Sequence, residues 1–279
     1  MIFVSNPGPQ NSIGIIAGNG IYPRTFVRAA RRAGVQKLAV AAFVNETDTS
    51  LADEVDVIEW IRVGQLSKLI KFFQREGVVS AVMVGQIAPK NLFDLRPDVR
   101  TMLMLGKLRE RNAESIFGAI AGEMEKEGIT LLPATTFLDD HLPKAGHVYG
   151  PKVKDKQLED AEFGMRIAKE MSRLDVGQTV VVKNGTVLAV EAFEGTNEAI
   201  KRGGELGKSG ATIAKVSKPN QDFRFDVPVV GPQTIQAAAD AGAVVIVVEA
   251  ERTLLLGLRE IQDLCDQCKV TLVAMNHKS

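Results

Sequence analysis

Many of the residues that usually give a protein away are scarce in this chain. Its 279 residues include two cysteines, three histidines, one tryptophan and two tyrosines. The cysteines, Cys265 and Cys268, form CDQC. Two thiols so close together cannot staple a fold, and a reducing compartment is expected. A redox CxxC opens a helix after a strand, whereas this pair closes a helical pattern, so buried or semi-buried thiols are expected. The histidines His141, His147 and His277 join no HExxH or paired CxxC, which argues against zinc. No GxSxG nucleophile elbow is present. Aromatic residues make up 5%, too few for base-stacking platforms as the main activity. The 34 basic and 34 acidic residues cancel, which removes any global pull toward nucleic acid or an acidic membrane. No apolar run approaches the roughly 20 residues needed to span a bilayer. MIFVSNPGPQ is interrupted by Pro7, Gly8 and Pro9 and does not read as a signal peptide. A soluble or at most peripheral protein is expected.

What is present is a hydrophobic fraction of 45% arranged in short apolar runs between helical patterns. IGIIA at 13–17, LAVAAF at 38–43, residues 55–59, VVSAVMVG at 78–85 and ITLLP at 129–133 read as strands. Helical patterns lie between them, from Pro23 to Arg32, 65–75, 98–108 and 112–126. This is an α/β order with a parallel sheet, Rossmann-like, over residues 1–134. Residues 135–153, rich in Pro and Gly, read as a linker. Residues 154–279 read as a second, mixed α/β domain. Its elements are a helix at 155–173, a hairpin around Asn184-Gly185, a short helix after EGTN, strands at 211–217, 243–248 and 270–274, and helices at 233–241 and 252–267.

Four places carry candidate chemistry. Gly18, Asn19 and Gly20 sit where the first strand meets its helix, where backbone amides can receive phosphate; a tight structural turn is the other reading. AGNGIYP is not GxGxxG, so an NAD enzyme is disfavoured. Gly85, Gln86 and Lys90 follow the strand at 78–85, on the side where open α/β sheets bind ligands. Glu191 and Glu194 lie three apart before Gly195, Thr196 and Asn197, of which Thr196 or Asn197 is placed to cap a helix; the two acids would share a cation if the backbone turns. The richest stretch is KVSKPNQDFRFDVPVVGP at 215–232. There Lys215, Lys218 and Arg224 would neutralise phosphoryl oxygens, Gln221 would contact substrate, and Asp222 and Asp226 would supply the few carboxylates that Mg²⁺ takes beside substrate phosphate. Pro219, Pro228 and Pro232 stiffen this stretch. A salt-bridged surface loop is the competing reading.

IGIIAGNGIYP, FGAIAGEMEKEGITLLPATTFL, HVYGP, DVGQTVVVKNGTVLAVEAFEGTNEAI, KVSKPNQDFRFDVPVVGPQTI and AAADAGAVVIVVEAERTLLL together resemble the bacterial UDP-2,3-diacylglucosamine pyrophosphatases of the LpxI family. The resemblance implies Mg²⁺-dependent hydrolysis of the UDP-linked diacylated glucosamine to UMP and 2,3-diacylglucosamine 1-phosphate in lipid A synthesis. It also implies a two-domain cytoplasmic enzyme with its site in the cleft, a homodimer, and peripheral contact with the inner membrane. The resemblance implies an essential aspartate in QDxRFD, which falls on Asp222 or Asp226, with Asp226 slightly favoured and both kept. Two departures stand out. The acid expected after EGT is Asn197, and an Arg-Gly-Asp-Asp run is replaced by Glu110, Arg111, Asn112 and Ala113. Both leave room for a non-catalytic nucleotide-sugar or phospho-ligand binding protein. QIAPKNLFDL and FLDDHLP carry the apolar side chains that acyl groups would need.

Overall fold

The computed structural model of the chain describes residues 11–87, 97–110 and 112–276. It separates into two compact units, one of residues 1–139 with Asp222–Asp226, the other of residues 140–221 with 227–279. The polar loop is therefore divided. It was expected to belong wholly to the second domain, but its five central residues fold with the first.

In the first unit, β1 (Ser12–Ala17), β2 (Lys37–Phe43), β3 (Val57–Ile61), β4 (Ser80–Val84) and β5 (Thr130–Leu131) form a sheet of order β3-β2-β1-β4-β5, every pair parallel. β1 and β2 are buried along almost their whole length, as strands covered on both faces must be. The helices are α1 (Tyr22–Arg32), α2 (Leu66–Arg75), α3 (Val99–Gly106) and α4 (Ala113–Lys126). Leu69, Ile70, Phe72 and Phe73 of α2 and Met124 of α4 pack with Ala39, Ala41 and Ile61 in one core. The chain builds outward from β1 to β3 and then returns to place β4 on β1's other side. That reversal is the switch point beyond which open α/β sheets of this kind bind ligands.

The second unit has a six-stranded mixed sheet, as its hairpin-and-crossover pattern implied. The strands are β6 (Gly146–Tyr149), β7 (Thr179–Lys183), β8 (Thr186–Val190), β9 (Ala211–Lys215), β11 (Ala243–Glu249) and β13 (Thr271–Met275), in the order β6-β13-β11-β9-β7-β8. β9, β11 and β13 are parallel; β6, β7 and β8 pair antiparallel. Along β9 the side chains alternate between two cores. Ile213 joins the one covered by α6 (Thr196–Gly207), α7 (Pro232–Asp240) and α8 (Leu258–Cys268), while Ala214 joins the one under α5 (Asp155–Arg173). Asp160, buried in α5, accepts the amides of Asn184 and Gly185, both at 2.8 Å, and so pins the hairpin turn.

Three expectations need correction. The stretch 135–153 is not all linker, because β6 pairs with β13 as an edge strand. The last helix starts at Leu258, behind left-handed Gly257, and not at 252; Leu254–Leu255 instead form β12, a parallel partner of the short β10 (Val229–Val230). Cys265 is buried, and burial pushes its thiol pKa up to about 12, but Cys268 is exposed.

Candidate functional site

In the first unit, the glycines divide into two kinds. Gly18 donates to Val84 O at 2.8 Å, Asn19 N donates to Gln86 O at 2.7 Å, and Gln86 N returns to Asn19 O at 3.3 Å. A Cβ on Gly18 would lie 2.4 Å from Gln86 O, and one on Gly85 (φ +93°) would lie 2.7 Å from Asn19 O. These two glycines let the ends of β1 and β4 close on each other. Gly20 (φ +86°) is different, since a Cβ there would meet nothing within 4 Å. It opens onto a recess of about 230 Å³ with Ile21, Arg24, Glu46 and Asp48 at the start of α1. No side chain caps that helix, and Pro23 in its first turn has no amide to be capped. Asn19 Nδ2 donates to Glu46 at 2.7 Å, so its amide is engaged within the protein. Lys90 lies outside the described residues. A larger hollow of about 460 Å³ beside α2 is lined by Glu59, which is ion-paired with Lys68 and Arg75, and by Lys71 and Asp98.

The turn Asp222–Asp226 also belongs to this unit. Asp222 O accepts from Phe225 N at 3.2 Å and Asp226 N at 2.9 Å, one helical turn. Phe225 anchors it, with its ring 5.6 Å from that of Phe117 on α4. Phe223 O accepts Ala134 N at 2.8 Å, and Ala134 O accepts the buried Tyr22 hydroxyl at 2.6 Å, which links the turn to the start of α1. Both oxygens of Asp222 are taken by Arg224, through Nε at 3.0 and 3.1 Å and Nη2 at 2.7 Å, and Oδ1 also takes the Arg224 amide. Those bonds hold the Asp222 carboxyl below its ordinary pKa. The half-buried Asp226 carboxylate has no side-chain hydrogen bond or ion pair among the described residues. Asp222 and Arg224 were expected to serve separately as metal ligand and phosphate clamp. They are first of all partners of each other.

In the second unit, Lys215 closes β9 in a buried position and donates to Thr196 Oγ at 3.0 Å; Thr196 Oγ donates to the buried Glu191 at 2.8 Å. Gly195 (φ +86°), not Thr196 or Asn197, is the N-cap of α6, and no side chain caps it. Asn197 is exposed in the first turn. Glu194 pairs with Arg202 and accepts Ala192 N at 3.1 Å. Glu191 and Glu194 therefore face different partners and do not form the shared cation site expected of them. Lys218 pairs with Asp175, and its amide donates to Gln221 Oε1 at 2.7 Å. Gln221 is buried with its Nε2 donor unpartnered.

Among the described residues no group of three or more His, Cys, Asp or Glu is arranged to hold a metal. Magnesium asks for less, commonly one or two carboxylates with the remaining positions filled by water and substrate phosphate. Asp226 fits that role; Asp222 would first have to release Arg224, and Glu191 and Glu194 do not fit. Of the apolar residues in FLDDHLP, Leu138 is fully buried and unavailable to an acyl chain, whereas Phe137, 6.0 Å from Phe26, and Leu142 are half-buried. Most of QIAPKNLFDL lies outside the described residues.

One buried cluster went unnoticed in the sequence. Lys169 Nζ donates to Glu249 at 2.7 Å and to Ser217 O at 2.8 Å; Glu249 also accepts Ser217 N at 2.9 Å and Ser217 Oγ at 2.6 Å. A glutamate closing the apolar run AVVIVVE was the available signal.

The two units, one with a parallel sheet and one with a mixed sheet, define a two-domain α/β protein. Residues 12–141 match the LpxI N-terminal domain and residues 144–273 the LpxI C-terminal domain, and the chain belongs to the LpxI family. It is 30% identical over 258 residues to the UDP-2,3-diacylglucosamine pyrophosphatase LpxI of Caulobacter vibrioides, covering 88% of this chain and 91% of that protein. Among solved structures, the biotin carboxylase domain of the Hydrogenobacter thermophilus 2-oxoglutarate carboxylase aligns with a TM-score of 0.26 and 16% identity. That alignment covers 63% of this chain and 35% of the other, and is too weak to bear on function.

Proposed function

We propose that the protein hydrolyses the pyrophosphate of UDP-2,3-diacylglucosamine, releasing UMP and 2,3-diacylglucosamine 1-phosphate. The observation that carries this reading is the near full-length likeness to the Caulobacter pyrophosphatase. The free carboxylate of Asp226 supplies chemistry consistent with it. In the reaction a water oxygen bonds to one phosphorus and the bridging P–O bond breaks. One proton of the water is lost and the displaced phosphate leaves as the second monoester. Mg²⁺, held by Asp226 with Asp222 beside it, would neutralise phosphoryl charge and lower the pKa of water.

The protein's own groups do the rest. Within the first unit, the amides at Gly20 and the start of α1 are donors suited to non-bridging oxygens; the second unit has donors of its own, the amides at the start of α6 and Lys215. Gln221 Nε2, buried with no partner, is a further donor awaiting an acceptor. A substrate with two acyl chains would be met at a membrane surface, and no described helix is long and apolar enough to cross one. A homodimer is proposed on the family likeness alone.

The alternative of a binding protein without turnover drew on the missing acids at 112 and 197. Asn112 now has a structural task, because it caps α4 by accepting Ser115 N at 2.9 Å. The test is incubation of the purified protein with UDP-2,3-diacylglucosamine, with and without Mg²⁺, followed by product identification. Magnesium-dependent release of UMP is expected; stoichiometric binding with no UMP would establish the alternative.

A further inference from the structure

The catalytic turn is an excursion that leaves the second unit after Gln221 and returns at Val227. Both of its stems are held by one short stretch, residues 249–256. On the outgoing side, Glu249 Oε2 accepts the Ser217 amide and hydroxyl, and Arg252 Nε donates to Ser217 Oγ at 2.6 Å. Lys169, reaching from α5, donates to Ser217 O and to Glu249. Every polar group of Ser217 is thus engaged, and Ser217 is wholly buried. On the returning side, Leu254 N donates to Pro228 O at 2.8 Å, Leu256 N donates to Val230 O at 3.0 Å, and β10 pairs with β12.

A buried ion pair adds little net stability over an apolar pair of the same size, because both charges lose their hydration. The Lys169–Glu249 pair makes directional bonds instead, and they converge on the residue from which the excursion departs. We infer that Glu249, supported by Lys169, is a positioning residue that fixes Ser217 and with it the Lys218–Gln221 stem, whose Gln221 Nε2 donor the proposed function gives to the substrate. This rests on the reading of Gln221 as a donor to the substrate. Glu249 touches no reacting atom in this role. It acts through Ser217, as Leu254 and Leu256 act through Pro228 and Val230.

The test compares Glu249→Ala, Glu249→Gln and Ser217→Ala with the wild-type chain by amide exchange and by kinetics with UDP-2,3-diacylglucosamine. In Glu249→Ala, exchange at 218–221 is expected to rise while the β9 and β11 amides stay protected. For the folded molecules, kcat is expected to fall about 10-fold or more with KM within about 3-fold, since small misplacement of a working group is costly. Glu249→Gln keeps an acceptor for Ser217 and is expected to recover part of kcat. If Glu249→Ala does not fold, Ser217→Ala, which loses only a hydroxyl, is expected to show the same pattern more weakly. Exchange that rises evenly through the second unit, or a variant with wild-type kcat, would overturn the inference. The exchange readout needs no turnover, so a wild-type chain with no activity would count against the proposed function while leaving the bracket testable.

Discussion

Asp222 and Asp226 share one helical turn and have different surroundings. Asp222 lies within reach of Arg224 and is consumed by it, which leaves Asp226 as the carboxylate available to a ligand. Asp226→Ala is therefore expected to lose about 10²-fold or more in kcat with an unchanged melting temperature. Asp222→Ala is expected to lower both, because it also removes the bonds that order the turn. Kinetics paired with thermal melts separate the two; equal effects on both readouts in the two variants would contradict the distinction. The buried Glu249 makes a pH prediction. Burial raises its pKa, but the bonds from Lys169 and Ser217 outweigh that, and its folded pKa lies below the ordinary value. A depressed carboxyl contributes stability above the unfolded glutamate pKa of about 4.3, and that contribution is lost as pH falls through the folded value. As pH falls below about 4.3, the melting temperature of the wild-type chain is expected to fall more steeply than that of Glu249→Gln.

At the scale of elements, the 222–226 turn is held by Phe225 against Phe117. Phe225→Ala is expected to lower kcat while sparing the melting temperature of the second unit's core, measured by exchange protection of β9 and β11. Asn112 caps α4, and Asn112→Ala should cost about 1 kcal/mol in a denaturant melt, whereas Asn112→Asp, which keeps the acceptor, should cost little. The longer strands were legible from the sequence because continuous apolar runs such as LAVAAF and AVVIVV have few other uses. β6, β10 and β12 were not, since each has two to four residues and exists only by pairing with a partner far along the chain. The composition of residues 215–226 marked the segment on which the proposed chemistry rests. Which of its charges would neutralise each other depends on the backbone of a single turn, and the Lys169–Glu249 pair joins residues 80 apart. Neither is written in local pattern.

For the whole molecule, each unit has its own sheet and its own polar strand ends, and five residues of the C-terminal stretch fold with the N-terminal unit. Family membership extends over both units, so the proposed chemistry rests on the full chain and not on either motif alone. The measurement that bears most directly on it is turnover of UDP-2,3-diacylglucosamine in ¹⁸O-labelled water, with mass analysis of both products. The account predicts UMP and 2,3-diacylglucosamine 1-phosphate in equal amounts, with one ¹⁸O in one of the two, and about 10²-fold slower formation of both by Asp226→Ala. Unlabelled products, or equal yields from the variant, would contradict it.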